Sequence, residues 1–250
     1  MAVARLLIEY DGTHFAGWAR QPGKRTVQAE LERALATLLP EPVLLKVAGR
    51  TDRGVHATGQ VASYAGEPAL VSGINALLPP DVAVRSCEAA PETFDARRDA
   101  RSRTYRYRVL RRQERSPFEH GRALWWPHRL DAALLHACAQ RLPGTHDFTA
   151  FTPTETVHVR FEREVLAARW IEDGDVITFE IEADAFMRSM NRVLVGTMLQ
   201  VAGGRRELES FEALLRGAHR RDAGPTAPPH GLCLTGVRYD SDTDRPPASR

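Results

Sequence analysis

Short strand-like runs alternate with amphipathic helical runs along the chain, and this order limits the fold class more than any other feature. The clearest strand is residues 104–110, where apolar and aromatic side chains share one face and arginines take the other. Helical spacing predicts a helix at 27–38, after Thr26 as its N-cap, and another over about 185–201. The turn residues Asp173-Gly174 predict a hairpin between two strands. The pattern therefore predicts an α+β fold.

The length of the chain allows more than one compact region. With 250 residues, of which 43% are hydrophobic, it can bury one large core or two smaller ones. Strands and helices recur in both halves, without a repeat at the level of residues. We therefore predict a first lobe over residues 1–102, a second over 103–242 and a flexible tail over 243–250.

Several classes of protein are disfavoured by composition. No stretch approaches the roughly 18–20 uncharged apolar residues that span a bilayer. The apolar run at Met1–Tyr10 contains charged residues and lacks a cleavage-site pattern, which indicates a first strand and not a signal peptide. Cys87, Cys138 and Cys233 are far apart and form no Cys-x-x-Cys pair, which is typical of a reduced compartment. We expect a cytoplasmic protein with no membrane association.

Arginines are concentrated in one region, although the formal net charge is only +2. The region contains Arg97, Arg98, Arg101, Arg103, Arg106, Arg108, Arg111, Arg112 and Arg115, against only Asp99 and Glu114. Arginine binds phosphate through paired hydrogen bonds and stacks on bases, so the cluster favours a polyanionic partner. A solvated strand face is the alternative, and the charge run alone does not decide between them.

The loop around Asp52 is the most informative segment for chemistry. It follows a predicted strand and places glycines at 49, 54 and 59, which let a substrate approach the backbone closely. A lone carboxylate with Arg50 two residues before it suits a nucleophile or a general base. A metal site would need further acidic or imidazole ligands nearby. The alternative is an ordinary turn in which Asp52 bonds backbone amides.

This loop and several other segments resemble the tRNA pseudouridine synthase A family. Gly49–Ala57, with Gln60 following, is similar to the family's signature. Further similar segments are, in chain order, Tyr10–Trp18 with Gln21, Thr26–Gln28, Asn75–Pro79, Phe94–Arg97, Tyr105–Tyr107, His146–Phe148 with Phe151, Phe186–Arg192 with Gly196, and Gly231–Leu232. Two positions depart from the family pattern: Arg53 stands where a small residue is common, and Asn191 where an apolar one is usual.

The resemblance implies an isomerase that converts uridine to pseudouridine in the anticodon stem-loop of tRNA, just after the anticodon, without cofactor or metal. It implies Asp52 as the catalytic carboxylate, which either attacks the substrate covalently or removes a sugar proton. Tyr105, Arg50 and Arg192 are implied as substrate-binding residues. It also implies a homodimer. We expect two similar lobes, each a mainly antiparallel sheet backed by helices, with Asp52 in the cleft between them.

Basic residues are expected to offset the few kcal/mol needed to flip the target uridine out of its stack. The candidates for RNA contact are Lys24, Arg25, Arg97, Arg101, Arg103, Arg106 and Arg108. Two other functions stay open: an RNA-binding protein without turnover, and a metal-dependent nuclease or phosphatase. The presence of Asp52, Tyr105 and Arg192 disfavours the first, and the absence of a second carboxylate in the Asp52 loop disfavours the other.

Overall fold

The computed structural model describes residues 2–155 and 159–240; the tail predicted over 243–250 lies outside them. The strands are β1 (Val3–Tyr10), β2 (Lys46–Val47), β3 (His56–Ala65), β4 (Val82–Ala90), β5 (Ser102–Leu110), β6 (Leu124–Trp125), β7 (Gly144–Asp147), β8 (Glu162–Asp173), β9 (Val176–Ala183) and β10 (Leu232–Arg238). The helices are α1 (Val27–Leu38), α2 (Val71–Leu77), α3 (Ala132–Gln140), α4 (Met190–Ala202) and α5 (Leu208–Leu214). The α+β prediction is confirmed. None of the helices in the described residues has the length and apolar character that a membrane crossing requires.

The chain forms two compact units. The first contains the residues up to Arg103 together with those from Leu234 onward, and the second contains Thr104–Cys233. The sequence prediction assigned residues through 242 to the second lobe. The structure groups the residues from Leu234 onward, which include most of β10, with the first unit.

The first unit carries the strand order β4-β1-β3-β10. Strand β1 pairs antiparallel with both β3 and β4, and β2 pairs antiparallel with β3. Alternate residues of β1 are buried, as its apolar periodicity predicts, and the buried set ends at Tyr10. Helix α1 begins where predicted, since the Thr26 side chain accepts a hydrogen bond from the amide of Ala29. It buries Leu31 and Leu35 on one face. Helix α2 packs against both α1 and β4.

The second unit carries the order β5-β9-β8-β7, with β6 parallel to β5. The predicted hairpin is confirmed: β8 and β9 pair antiparallel up to Asp173 and Val176, and Gly174 takes a positive φ of 54° in the turn. Helix α3 is capped by Asp131 and packs on α4 and β8. Helix α4 begins at Met190, not near residue 185 as predicted, because Ser189 adopts a left-handed φ of 60° that interrupts helical geometry.

Candidate active site

Asp52 lies on the loop between β2 and β3 of the first unit, at a half-buried position. The main chain turns tightly here: the amide of Val55 donates to the carbonyl of Asp52 at 3.2 Å, and Gly54 takes a φ of 78°. Arg50 and Arg53 on either side are exposed. The loop therefore forms a turn that presents one carboxylate between two arginines.

The segment after β1 packs directly against this turn and depends on glycine to do so. A Cβ on Gly12 would lie 2.0 Å from the carbonyl oxygen of Val55. Gly17 has a φ of 105°, and a Cβ there would lie 2.8 Å from the carbonyl oxygen of Thr51. The amide of Trp18 donates to that same oxygen at 3.0 Å. The segment after β1 and the Asp52 loop, which are far apart in sequence, thus pack directly on each other. This close contact requires glycine at positions 12 and 17.

Buried side chains hold the loop from beneath. The Tyr10 hydroxyl lies 2.7 Å from Thr51 Oγ1 and 3.2 Å from Gln60 Nε2, and Gln60 Nε2 also donates to the Gly49 carbonyl at 2.7 Å. Tyr10, Thr51 and Gln60 are 5%, 7% and 0% exposed. Sequence reasoning included Tyr10 and Gln60 in motifs without assigning them a role. The available signal was that Tyr10 places a hydroxyl on the buried face of β1.

His56 fixes the other side of the same turn. Its Nδ1 accepts a hydrogen bond from the amide of Gly12 at 3.0 Å and lies 3.2 Å from Asp11 Oδ1. His56 therefore serves to join the turn to the segment after β1.

Arg103 is buried and acts on the start of the Asp52 loop. Its Nε and Nη2 donate to the carbonyl of Ala48 at 3.0 and 2.8 Å. Nη1 donates to Ala100 at 3.1 Å, and Nη2 also donates to Arg97 at 2.9 Å. These contacts give Arg103 a structural role, because the residue is 9% exposed and its guanidinium donates to three backbone carbonyls. Contact between Arg103 and RNA stays a prediction.

Tyr105 and Arg192 belong to the second unit. Tyr105 on β5 is buried, and its ring meets Phe186 edge to face with centroids 5.0 Å apart. Arg192 lies in the first turn of α4, half-buried, and its Nε donates to the Ala227 carbonyl at 2.7 Å. The amide of Ala227 donates back to the Arg192 carbonyl at 3.0 Å. This exchange fixes the helix start against the segment around Ala227.

Most of the predicted RNA-contacting arginines have acidic partners from distant parts of the chain. Arg25 makes two 2.7 Å bonds to Asp81, one to Glu30, and lies 4.2 Å over the ring of Phe15. Hydrogen bonding by Arg25 lowers the pKa of Asp81, and the same bond raises the pKa of Arg25.

The other predicted RNA-contacting residues, apart from Arg103, either form ion pairs or remain exposed without one among the described residues. Three further arginine pairs carry ion-pair distances of 2.5–2.7 Å: Arg101 with Asp240, Arg106 with Glu180, and Arg108 with Glu119. Lys24 and Arg97 are exposed, and neither forms an ion pair with any other residue in the described ranges. The local excess of arginine in the sequence is thus largely neutralised by the fold.

No group of three or more His, Cys, Asp or Glu in residues 2–155 and 159–240 is arranged to hold a metal ion.

Comparison with known proteins decides the family. The family model described as tRNA pseudouridine synthase matches residues 6–97 and 138–240. The chain belongs to the tRNA pseudouridine synthase family. It is 42% identical to tRNA pseudouridine synthase A of Myxococcus xanthus, over 98% of this chain and 93% of that protein. The proteins of the same name from Geobacter sulfurreducens and Geotalea uraniireducens are 39% and 38% identical, each over 96% of this chain and 100% of the relative.

The resemblance inferred from motifs is therefore confirmed, and with it the expectation of an RNA pseudouridine synthase, an isomerase. A solved structure described as a Cbf5-Nop10-Gar1 complex contains a chain with 11% identity and a TM-score of 0.33, covering 78% of this synthase and 53% of that chain. That similarity is too low to inform fold or function.

Proposed function

We propose that this synthase isomerises uridines in the anticodon stem-loop of tRNA, just after the anticodon, with Asp52 as its catalytic carboxylate. One observation supports this most strongly. Asp52 is half-buried on a turn that is held by packed glycines and buried hydrogen bonds, between two exposed arginines. A carboxylate held this rigidly is suited to attack or to proton removal at a fixed point of a bound nucleotide.

The reaction needs only rearrangement within the nucleotide. The C1′–N1 bond breaks, uracil turns, a C1′–C5 bond forms, C5 loses its proton and N1 gains one. Atoms and charge balance without a further reactant. Asp52 either forms a transient covalent bond or takes a sugar proton, and both routes require its ionised form.

The exposure and contacts of Arg50, Tyr105 and Arg192 support their proposed roles in binding the substrate. Arg50 is exposed and makes no hydrogen bond or ion pair within the described part of the chain, so it is available to a nucleotide phosphate. Tyr105 offers a buried ring, already fixed against Phe186, for stacking on uracil. Arg192 supplies a cation at a fixed helix start. Lys24 and Arg97 are the members of the predicted basic set whose charge is most available to RNA.

Release of tritium from tRNA labelled at uracil C5 tests the proposal. The wild type is expected to release tritium without added metal and in the presence of a chelator. Asp52→Asn should reduce release by at least about 10³-fold while tRNA still binds. Asp173→Asn, at the exposed last residue of β8, is the matched control and should stay near wild type.

Three results would contradict the proposal. Release by Asp52→Asn within tenfold of wild type would remove Asp52 from the chemistry. No release by the wild type with tRNA bound would favour an RNA-binding protein without turnover. Activity abolished by the chelator would favour a metal-dependent enzyme. Replacing single uridines of the anticodon stem-loop by cytidine then locates the modified positions.

We also propose that the enzyme is a cytoplasmic homodimer. Cys87, Cys138 and Cys233 form no disulfide in the described part of the chain, which suits a reduced compartment. The mass of one chain is 27.8 kDa, so sedimentation equilibrium distinguishes a dimer from a monomer directly. A single species at the monomer mass, at micromolar concentration, would contradict the dimer.

A further inference from the structure

The Tyr10 hydroxyl occupies an unusual position for a residue on the buried face of a strand. It bridges two side chains, the amide of Gln60 at 3.2 Å and the hydroxyl of Thr51 at 2.7 Å. All three groups are almost fully buried. A buried polar group is costly unless it is paired, so the bridge is a defined geometric constraint and not an incidental surface contact.

The constraint acts on the residues immediately before Asp52. Gln60 Nε2 can only donate, and it donates to the Gly49 carbonyl at 2.7 Å, which fixes the orientation of its amide. Thr51 is held twice, at its side chain by Tyr10 and at its carbonyl by the amide of Trp18. Gly49 and Thr51 are therefore both fixed from outside the loop.

The sheet of the first unit does not depend on the Tyr10 hydroxyl for its stability. Strand β1 is already paired on both sides, with β3 and with β4, and its buried face is otherwise filled by apolar side chains. A phenylalanine at position 10 would preserve the ring, which packs against Trp18 with centroids 6.0 Å apart. Tyr10→Phe therefore removes the hydroxyl group and leaves the packing of the ring in place.

We propose that Tyr10 and Gln60 are positioning residues for Asp52, which hold Gly49 and Thr51 so that the carboxylate stands at the reacting atoms. The inference rests on the proposed catalytic role of Asp52. A displacement of about 1 Å at a reacting group can cost about 10²-fold in rate. Loss of the bridge should therefore lower kcat and leave the binding of tRNA, which involves other residues, nearly unchanged.

The test compares two tyrosine-to-phenylalanine variants of the same unit. Tyr64 is also buried, and its hydroxyl donates to the Glu67 carbonyl at 2.9 Å and accepts from the amide of Ala69 at 3.0 Å. Tyr64→Phe therefore removes an equally buried and bonded oxygen that does not contact the Asp52 loop. Single-turnover and steady-state rates are measured per folded molecule, with the folded fraction taken from circular dichroism at the assay temperature.

Tyr10→Phe is expected to lower kcat by about 10–100-fold with KM for tRNA within about threefold of wild type. Tyr64→Phe should keep kcat within about twofold. Thr51→Val should reproduce the loss and Thr51→Ser should retain most of the rate. The Tyr10→Phe/Thr51→Val double variant should lose no more than Tyr10→Phe alone, because the hydrogen bond removed by Thr51→Val is already absent in Tyr10→Phe.

Equal losses in the two phenylalanine variants, or a raised KM with unchanged kcat in Tyr10→Phe, would overturn the proposal. Asp52→Asn measured in the same assay separates its failure from that of the proposed function. If Asp52→Asn is inactive and Tyr10→Phe is fully active, only the positioning role is wrong. If Asp52→Asn is active, the assignment of Asp52 is wrong and Tyr10 has no carboxylate to position.

Discussion

Replacing Gly196 by alanine sets two opposing effects against each other in helix α4. An alanine inside a helix is favoured over glycine by about 1 kcal/mol. A Cβ at Gly196, however, would lie 1.9 Å from the carbonyl oxygen of Pro225, and real Cβ atoms essentially never approach a neighbour within 3.0 Å. Either the helix or the segment around Pro225 must move.

That segment is not free to move, because it is bonded along the same helix. The amide of Gly224 donates to Thr197 Oγ1 at 3.0 Å, and Ala227 exchanges two hydrogen bonds with Arg192. Overpacking costs about 1–3 kcal/mol and each lost hydrogen bond about 1 kcal/mol. The unfavourable effects exceed the gain in helix propensity, so Gly196→Ala should destabilise the protein by about 1–3 kcal/mol. Since Ala227 contacts Arg192, turnover should fall as well.

Gly73→Ala in helix α2 is the matched control, since its Cβ would meet only the Leu38 side chain at 3.4 and 3.5 Å. Here the propensity gain should prevail and raise the free energy of unfolding by about 0.5–1 kcal/mol. Urea denaturation followed by circular dichroism measures both variants. A Gly196→Ala protein as stable as the wild type, or shifts of the same sign in both variants, would refute the reasoning.

Three other substitutions or treatments test particular contacts. Arg103→Met removes hydrogen bonds to the carbonyls of Ala48, Ala100 and Arg97 and should cost about 2–4 kcal/mol in urea denaturation. Arg101→Met, at an exposed ion pair, should cost clearly less, and equal costs would contradict the structural role of Arg103. Hydrogen bonding by Arg25 lowers the pKa of Asp81. The Arg25–Asp81 pair therefore contributes its full stabilisation of the folded state above the ordinary aspartate pKa of about 4, and this contribution is lost as the pH falls through the folded-state pKa. Asp81→Asn should therefore be less stable than wild type by about 1 kcal/mol at pH 7, with the difference shrinking in acid, and a pH-independent difference would be the contrary result. Burial raises the pKa of Cys138 to about 12, so iodoacetamide at pH 8 should label it only after unfolding, as mass spectrometry would show; rapid labelling of the native protein would contradict its burial.

The parts of the fold that sequence predicted well are governed by neighbouring residues. The Thr26 cap needs only the first turn of α1, and the Asp173-Gly174 hairpin needs only two adjoining strands. The alternation in β5 buries Tyr105, Tyr107 and Val109 as its period of two requires. In each case the deciding interaction lies within a few residues in the chain, so the local pattern contains it.

The sequence is less informative where a partner is distant along the chain. The arginine-rich stretch favoured a polyanionic partner, but the sequence could not show that Arg101 and Arg106 meet acids at positions 240 and 180. Arg103 was indistinguishable from its neighbours until the fold placed it beneath Ala48. Charge counted along a window does not include the charges that folding brings beside it, so such a stretch predicts surface potential poorly.

The two departures from the family pattern have different physical consequences. Arg53 is exposed on the Asp52 turn and makes no hydrogen bond or ion pair within the described ranges, so a long charged side chain replaces a small one there without disturbing packing. Asn191 is only 4% exposed, and its Oδ1 accepts no hydrogen bond from the described residues. An unpaired buried oxygen costs about 1–3 kcal/mol, which the apolar packing of Met190, Val193 and Leu194 must offset. The cost at Asn191 therefore falls next to Arg192, a proposed functional residue on the same helix, whereas the exposed Arg53 beside Asp52 carries no such cost.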